Sequence, residues 1–136
     1  MISLENVAFQ PTTIDRVNID TTIQRFEFTI ELFWKLLKAI IESKGASVQY
    51  PKDVLREAFQ GGLIDDEQSW ISMLHDKNIT SHTYDEELAD KVFQNIKTYV
   101  PILRKTYHIL YNQYITVVYL SIFAINVFSN YSHYKT

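Results

Sequence analysis

Cysteine is absent from this 136-residue chain. That excludes a disulfide scaffold, a thiolate metal site and a cysteine nucleophile, and it suits a reducing cytoplasmic setting. Glycine and proline number only three each, and no strand-turn-strand signal or internal repeat appears along the chain. The four histidines, at 75, 82, 108 and 133, form no HExxH pair, so a zinc enzyme is not expected and no metal site is assigned. The first twenty residues lack the basic and apolar blocks of a signal peptide. No apolar run reaches the roughly 18 residues that mark a membrane span. A formal net charge of −3 gives no bulk attraction for nucleic acid, so DNA binding is not expected and any RNA contact needs a local basic site.

What is present is a helical pattern. With 46% hydrophobic and 21% charged residues, the chain has a globular composition and fits one domain over 1–136. Residues 1–19 are expected to be irregular or a short helix, because Pro11 blocks a helix interior, with Ile14 and Val17 packing down. Asp20 or Thr21 then caps a long helix over about 20–44. Its apolar positions Ile23, Phe26, Ile30, Phe33, Trp34, Leu37, Ile40 and Ile41 recur at 3–4 spacing, and Gly45 stands where a left-handed cap belongs. Pro51 opens a second helix bearing Val54, Leu55, Ala58 and Phe59, and Gly61-Gly62 closes it. That glycine pair lacks the Lys and Ser/Thr of a phosphate loop.

Asp65, Asp66 and Glu67 favour the next helix start, followed by Trp70, Ile71, Met73 and Leu74; the pattern breaks near Asn78. Asp85 caps the last helix, whose apolar period runs from Leu88 through Tyr114 with a kink expected at Pro101. The expected fold is all-α, an antiparallel up-and-down bundle of the four-helix type with a short or irregular first helix. Ile115–Phe128 carries no charge. It reads as a buried or partner-covered extension of the last helix, with a membrane-associated or poorly packed tail as alternatives.

The most pointed constellation is Lys77-Asn78-Ile79-Thr80-Ser81-His82. A histidine can exchange protons near neutral pH, and a cation five residues earlier can hold a phosphate oxygen. The plainer account is a histidine that caps a helix or satisfies a loop carbonyl. On the long helix, Glu31 and Lys35 form an i,i+4 pair. The sharper placement sets Glu31 against the His82 loop, steadying the imidazole or the loop, with Arg25 and Trp34 beside it as supporting or interface residues.

Three stretches taken together carry a resemblance: IQRFEFTIELFWKLLK at 23–38, PKDVLREAFQGGLI at 51–64 and LHDKNITSHTYDEELA at 74–89. In this order and spacing they resemble the nucleotidyltransferase substrate-binding proteins. That family lies within the wider HEPN group and includes HepT-like toxins paired with MntA-like antitoxins. The likeness covers roughly residues 20–112, leaving 115–136 as an atypical apolar tail. It implies a helical homodimer and a separately encoded minimal nucleotidyltransferase as partner, which would itself supply the nucleotide, so no cofactor is expected in this chain.

For HEPN ribonucleases the resemblance implies a metal-independent reaction. A histidine promotes attack by the RNA 2′-OH on the adjacent phosphate, and an arginine steadies the charged transition state. Carried onto this chain, His82 matches the histidine, Asn78 the polar residue of the motif, and Tyr84 the tyrosine to which the partner attaches AMP. The arginine position holds Lys77. A lysine keeps the charge and loses the planar fork that grips phosphate at two points; one such contact is worth about 1.5–3 kcal/mol, roughly ten- to a hundredfold in rate. The expectation is therefore a partner or substrate of a nucleotidyltransferase. A ribonuclease toxin using Lys77 and His82, and a degenerate homologue kept only for binding, stand as alternatives.

Overall fold

The computed structural model describes residues 4–5, 16–82 and 85–134, with side chains described for all of these except 115–118, 121, 128 and 130–134. Four helices follow in order: α1 (Arg16–Ser43), α2 (Pro51–Gln60), α3 (Glu67–His82) and α4 (Glu86–Tyr134). Leu4 and Glu5 are helical as well, and no strand occurs among the described residues. The expected all-α class is the observed one. The chain divides into two compact units, Met1–Thr106 and Tyr107–Thr136.

In the first unit, the core forms where the apolar stripes meet. Helix α1 contributes Ile19, Ile23, Phe26, Ile30, Phe33, Leu37 and Ile41, each three or four residues from the next, so they share one side of the cylinder. Trp70 and Met73 of α3, Val54 and Leu55 of α2, and Ile96 and Leu103 of α4 are sealed against them. Phe26 stacks on Tyr99 at 5.8 Å between centroids, and Phe33 meets Trp70 edge-on at 5.4 Å. Phe26 and Phe33 are thus buried among the rings and aliphatic side chains of this unit. Leu4 is fully buried, and Glu5 binds Arg104 through two nitrogens at 2.6 and 2.7 Å.

The boundaries follow local chemistry. Gly45 (φ +93°) and Gly62 (φ +74°) adopt the left-handed conformation that side-chain-bearing residues rarely tolerate. After Gly62, the Leu63 amide donates to the Ala58 carbonyl at 2.8 Å and closes α2. Tyr50 is the extended N-cap before Pro51. Asp66 accepts the Ser69 amide (3.0 Å) and hydroxyl (2.6 Å) at the start of α3. Asp85 accepts the Glu87 amide at 2.9 Å and caps α4. Helix α4 continues through Pro101.

Three expectations need correction. Helix α1 already includes Arg16, so Asp20 and Thr21 are interior positions; the Thr21 and Thr22 hydroxyls donate back to Val17 and Asn18 carbonyls at 2.7 and 2.8 Å. That register turns Val17 outward and gives the buried position to Ile19. Helix α3 does not break near Asn78 but runs to His82, its polar last turns tied down by Thr80 and Ser81 hydroxyls donating to the Asp76 and Lys77 carbonyls. The expected interruption at Pro11 and the packing of Ile14 lie outside the described residues.

Candidate functional site

Trp70, Met73 and Leu74 set the inner side of α3, and Lys77 lies on the same side one turn later. Its ammonium reaches Glu31 of α1 at 3.2 Å. Glu31 also binds Lys35 at 3.0 Å and accepts the Trp34 indole N–H at 2.8 Å. The indole hydrogen bond, then the two ammonium groups, hold the Glu31 carboxyl at about 2, well below the usual range. One carboxylate therefore serves three donors, and within the Lys77–His82 segment the contact of Glu31 is with Lys77.

On the next side of α3, Asp76 is buried. It accepts the Tyr99 hydroxyl at 2.6 Å and the Asn95 amide at 3.2 Å, both from α4. Burial, and then the adjoining carboxylate, push the Tyr99 phenol upward, because the phenolate would be a second anion out of water. Little in the sequence singles out Asp76. Its only signal there is a lone acid three residues after buried Met73, and the two donors that make it tolerable lie 19 and 23 residues away.

His82 ends α3 at the surface, and Asn78 is exposed. Five residues of helix turn His82 about 140° from Lys77, so the two side chains point to different sides and form no shared cleft within one chain. Tyr84 lies outside the described residues. Arg25 is exposed on α1, away from the Glu31–Lys77 pair by more than a helical turn. Of the six site residues that the structure describes, Glu31, Trp34 and Lys77 meet in direct contact, while Asn78 and His82 are exposed on α3.

Beside the end of α3 lies an open groove of about 390 Å³, lined by residues of α1, α3 and α4 and by the cap of α4, among them Asp20, Gln24, Glu27, Thr80 and Asp85. Glu27 accepts the Ser81 hydroxyl at 3.0 Å. Three carboxylates and no Lys or Arg are among the described lining residues, a potential that repels phosphate. Among the described residues no three His, Asp or Glu side chains are set to hold a metal ion, and no helix is long and apolar enough to cross a membrane.

Residues 1–112 match the family model described as nucleotidyltransferase substrate binding protein like. A protein of Haemophilus influenzae named probable ribonuclease HepT is 38% identical over 96 residues, which is 67% of this chain and 66% of that protein. The match thus spans slightly less than two thirds of that relative. A crystal structure of a Thermus thermophilus protein is similar with a TM-score of 0.71 and 34% identity, covering 79% of this chain and 92% of that one.

Proposed function

Because the chain belongs to the family of proteins like the nucleotidyltransferase substrate binding protein, we propose that it acts as the helical component of a two-protein system, the partner or modification substrate of a separately encoded minimal nucleotidyltransferase. The observation that carries this reading is the state of Lys77: its charge is met by Glu31 at 3.2 Å, while the neighbouring groove is acid-lined. A surface built to grip RNA phosphates would leave its cations available and keep carboxylates away. A surface built for a protein partner tolerates both, and an acidic groove suits basic side chains of that partner.

Tyr84, two residues past His82, is the proposed acceptor of the transferred nucleotide. In that step the tyrosine oxygen attacks the α-phosphorus of ATP bound to the partner. The bond to the β-phosphate breaks, pyrophosphate leaves, and the phenolic proton passes to solvent or a base. The cytoplasm is the compartment in which both proteins and ATP would meet. The test is incubation of the purified chain with the nucleotidyltransferase encoded beside it and ATP, followed by peptide mass spectrometry. Adenylate on Tyr84, lost in Tyr84→Phe, is expected; an unmodified chain that also fails to bind the partner in sedimentation would overturn the proposal.

A second reading is favoured by one comparison, the relative named probable ribonuclease HepT. Here His82, exposed at the end of α3, would be the base that takes the 2′-OH proton. A second copy of the chain would be needed, since Lys77 and His82 of one chain diverge. RNA cleavage by the unmodified protein, abolished in His82→Ala, supports this reading; equal, background-level cleavage by both proteins removes it.

A further inference from the structure

From Thr106 to Tyr134 the chain contains no Asp, Glu, Lys or Arg, and all of this stretch is helical. The family match ends at 112, so the part of this stretch from 113 onward lies beyond what the family shares. Tyr107, Tyr111 and Tyr114, then Ile122 and Ile125, fall within about 80° of one another around the helix axis. All five are exposed, Tyr114 and Ile125 by about two thirds (69% and 66%). Tyr107 and Tyr111 stack on each other at 5.9 Å with planes 24° apart, an ordered aromatic pair on the stripe. Spacings of four and three residues along such a stripe are those of a helix that receives another helix.

We propose that this stripe is a self-association surface, docking on the same stripe of a second copy of the chain. The charge pattern selects that occupant. A surface with no formal charge brings no like-charge repulsion when it meets itself, which a stripe rich in one sign would. It offers nothing to a partner recognised through complementary charge. It also lacks the lysines and arginines by which interfacial helices hold anionic lipid. The area suffices: five large side chains about half exposed give roughly 550 Å² per copy and so about 1,100 Å² per pair, just above the ~1,000 Å² that a specific interface needs. The proposal does not rest on the nucleotidyltransferase reading, since none of these residues belongs to the site around Lys77.

The absence of native cysteine makes the test clean. Single variants Tyr114→Cys and Ile122→Cys place a thiol on the stripe, and Gln113→Cys places one about 140° from its centre. Under mild oxidation of the full chain, the two stripe variants are expected to form the disulfide-linked dimer at least tenfold faster than Gln113→Cys. In sedimentation equilibrium, the double variant Ile122→Lys with Ile125→Lys is expected to lower the association state by one step, with its helical circular dichroism retained. Both residues are exposed, so folding should survive; if it does not, the cysteine variants decide alone. Equal cross-linking at all three positions would overturn the proposal, as would an association state unchanged by the two lysines. So would flotation of the wild-type chain with phosphatidylcholine vesicles that the lysine variant loses, an outcome that would assign the stripe to lipid instead.

Discussion

Replacing Glu31 by Gln removes one negative charge and keeps an oxygen that can still accept the Trp34 indole N–H (2.8 Å). What is lost is the attraction to Lys77 at 3.2 Å and Lys35 at 3.0 Å. A carboxyl moved from 4.5 to about 2 corresponds at face value to about 3 kcal/mol of linkage. The side chain is one-third exposed (33%), so solvent screening leaves about 1 kcal/mol as the working figure. For a domain of this size that lowers Tm by about 4 °C. The sign of the pH dependence follows from the direction of the shift. A carboxyl depressed in the folded state contributes its stabilisation in full above about 4.5 and loses it as pH falls through about 2. More than half should be gone by about pH 3. Urea unfolding of wild type and Glu31→Gln, followed by the fluorescence of the two tryptophans at pH 7 and pH 3, measures this directly. The expected difference is about 1 kcal/mol at pH 7 and less than half of that at pH 3. A difference equal at both pH values, or none at pH 7, would refute the argument that the Glu31 charge is what holds this end of α3 to α1.

Asp76→Ala is expected to destabilise by about 2–3 kcal/mol, since it leaves the Tyr99 hydroxyl and the Asn95 amide without their acceptor in a buried position. Asp76→Asn, which keeps one oxygen, should cost clearly less in the same urea titration. Gly62→Ala should cost about 1 kcal/mol although nothing lies within 4 Å of the added carbon, because φ is +74° and the penalty is conformational.

Much of the first unit is legible in the sequence because helix ends are local. Pro51, Gly45, Gly62, Asp66 and Asp85 each act on backbone groups a few residues away, and each is found in the role its chemistry assigns. The start of α1 escapes that same rule: Asp20 and Thr21 are good caps, but the helix has already begun, and a threonine inside a helix satisfies its hydroxyl on the preceding turn. Resemblance marks position 77 but does not show what faces it. Glu31 is 46 positions earlier, and only the packing of α3 on α1 brings the two together. The same distance problem hides Asp76, whose acceptability depends on α4. His82 lies beside the motif in sequence, yet only the continued helix shows that it points away from Lys77.

Asp76 and Lys77 are neighbours in sequence, and α3 is held through them from two sides: Lys77 to α1, Asp76 to α4. A rod fastened at one point can still swivel about its long axis; fastened at two points on different flanks, it cannot. The azimuth of α3 is thereby fixed, and with it the bearing of His82 about one and a half turns further on, by side chains that need never touch the imidazole. Drift at Glu31, Asp76, Asn95 or Tyr99 would then register as a change in where His82 aims before it registers as loss of the fold.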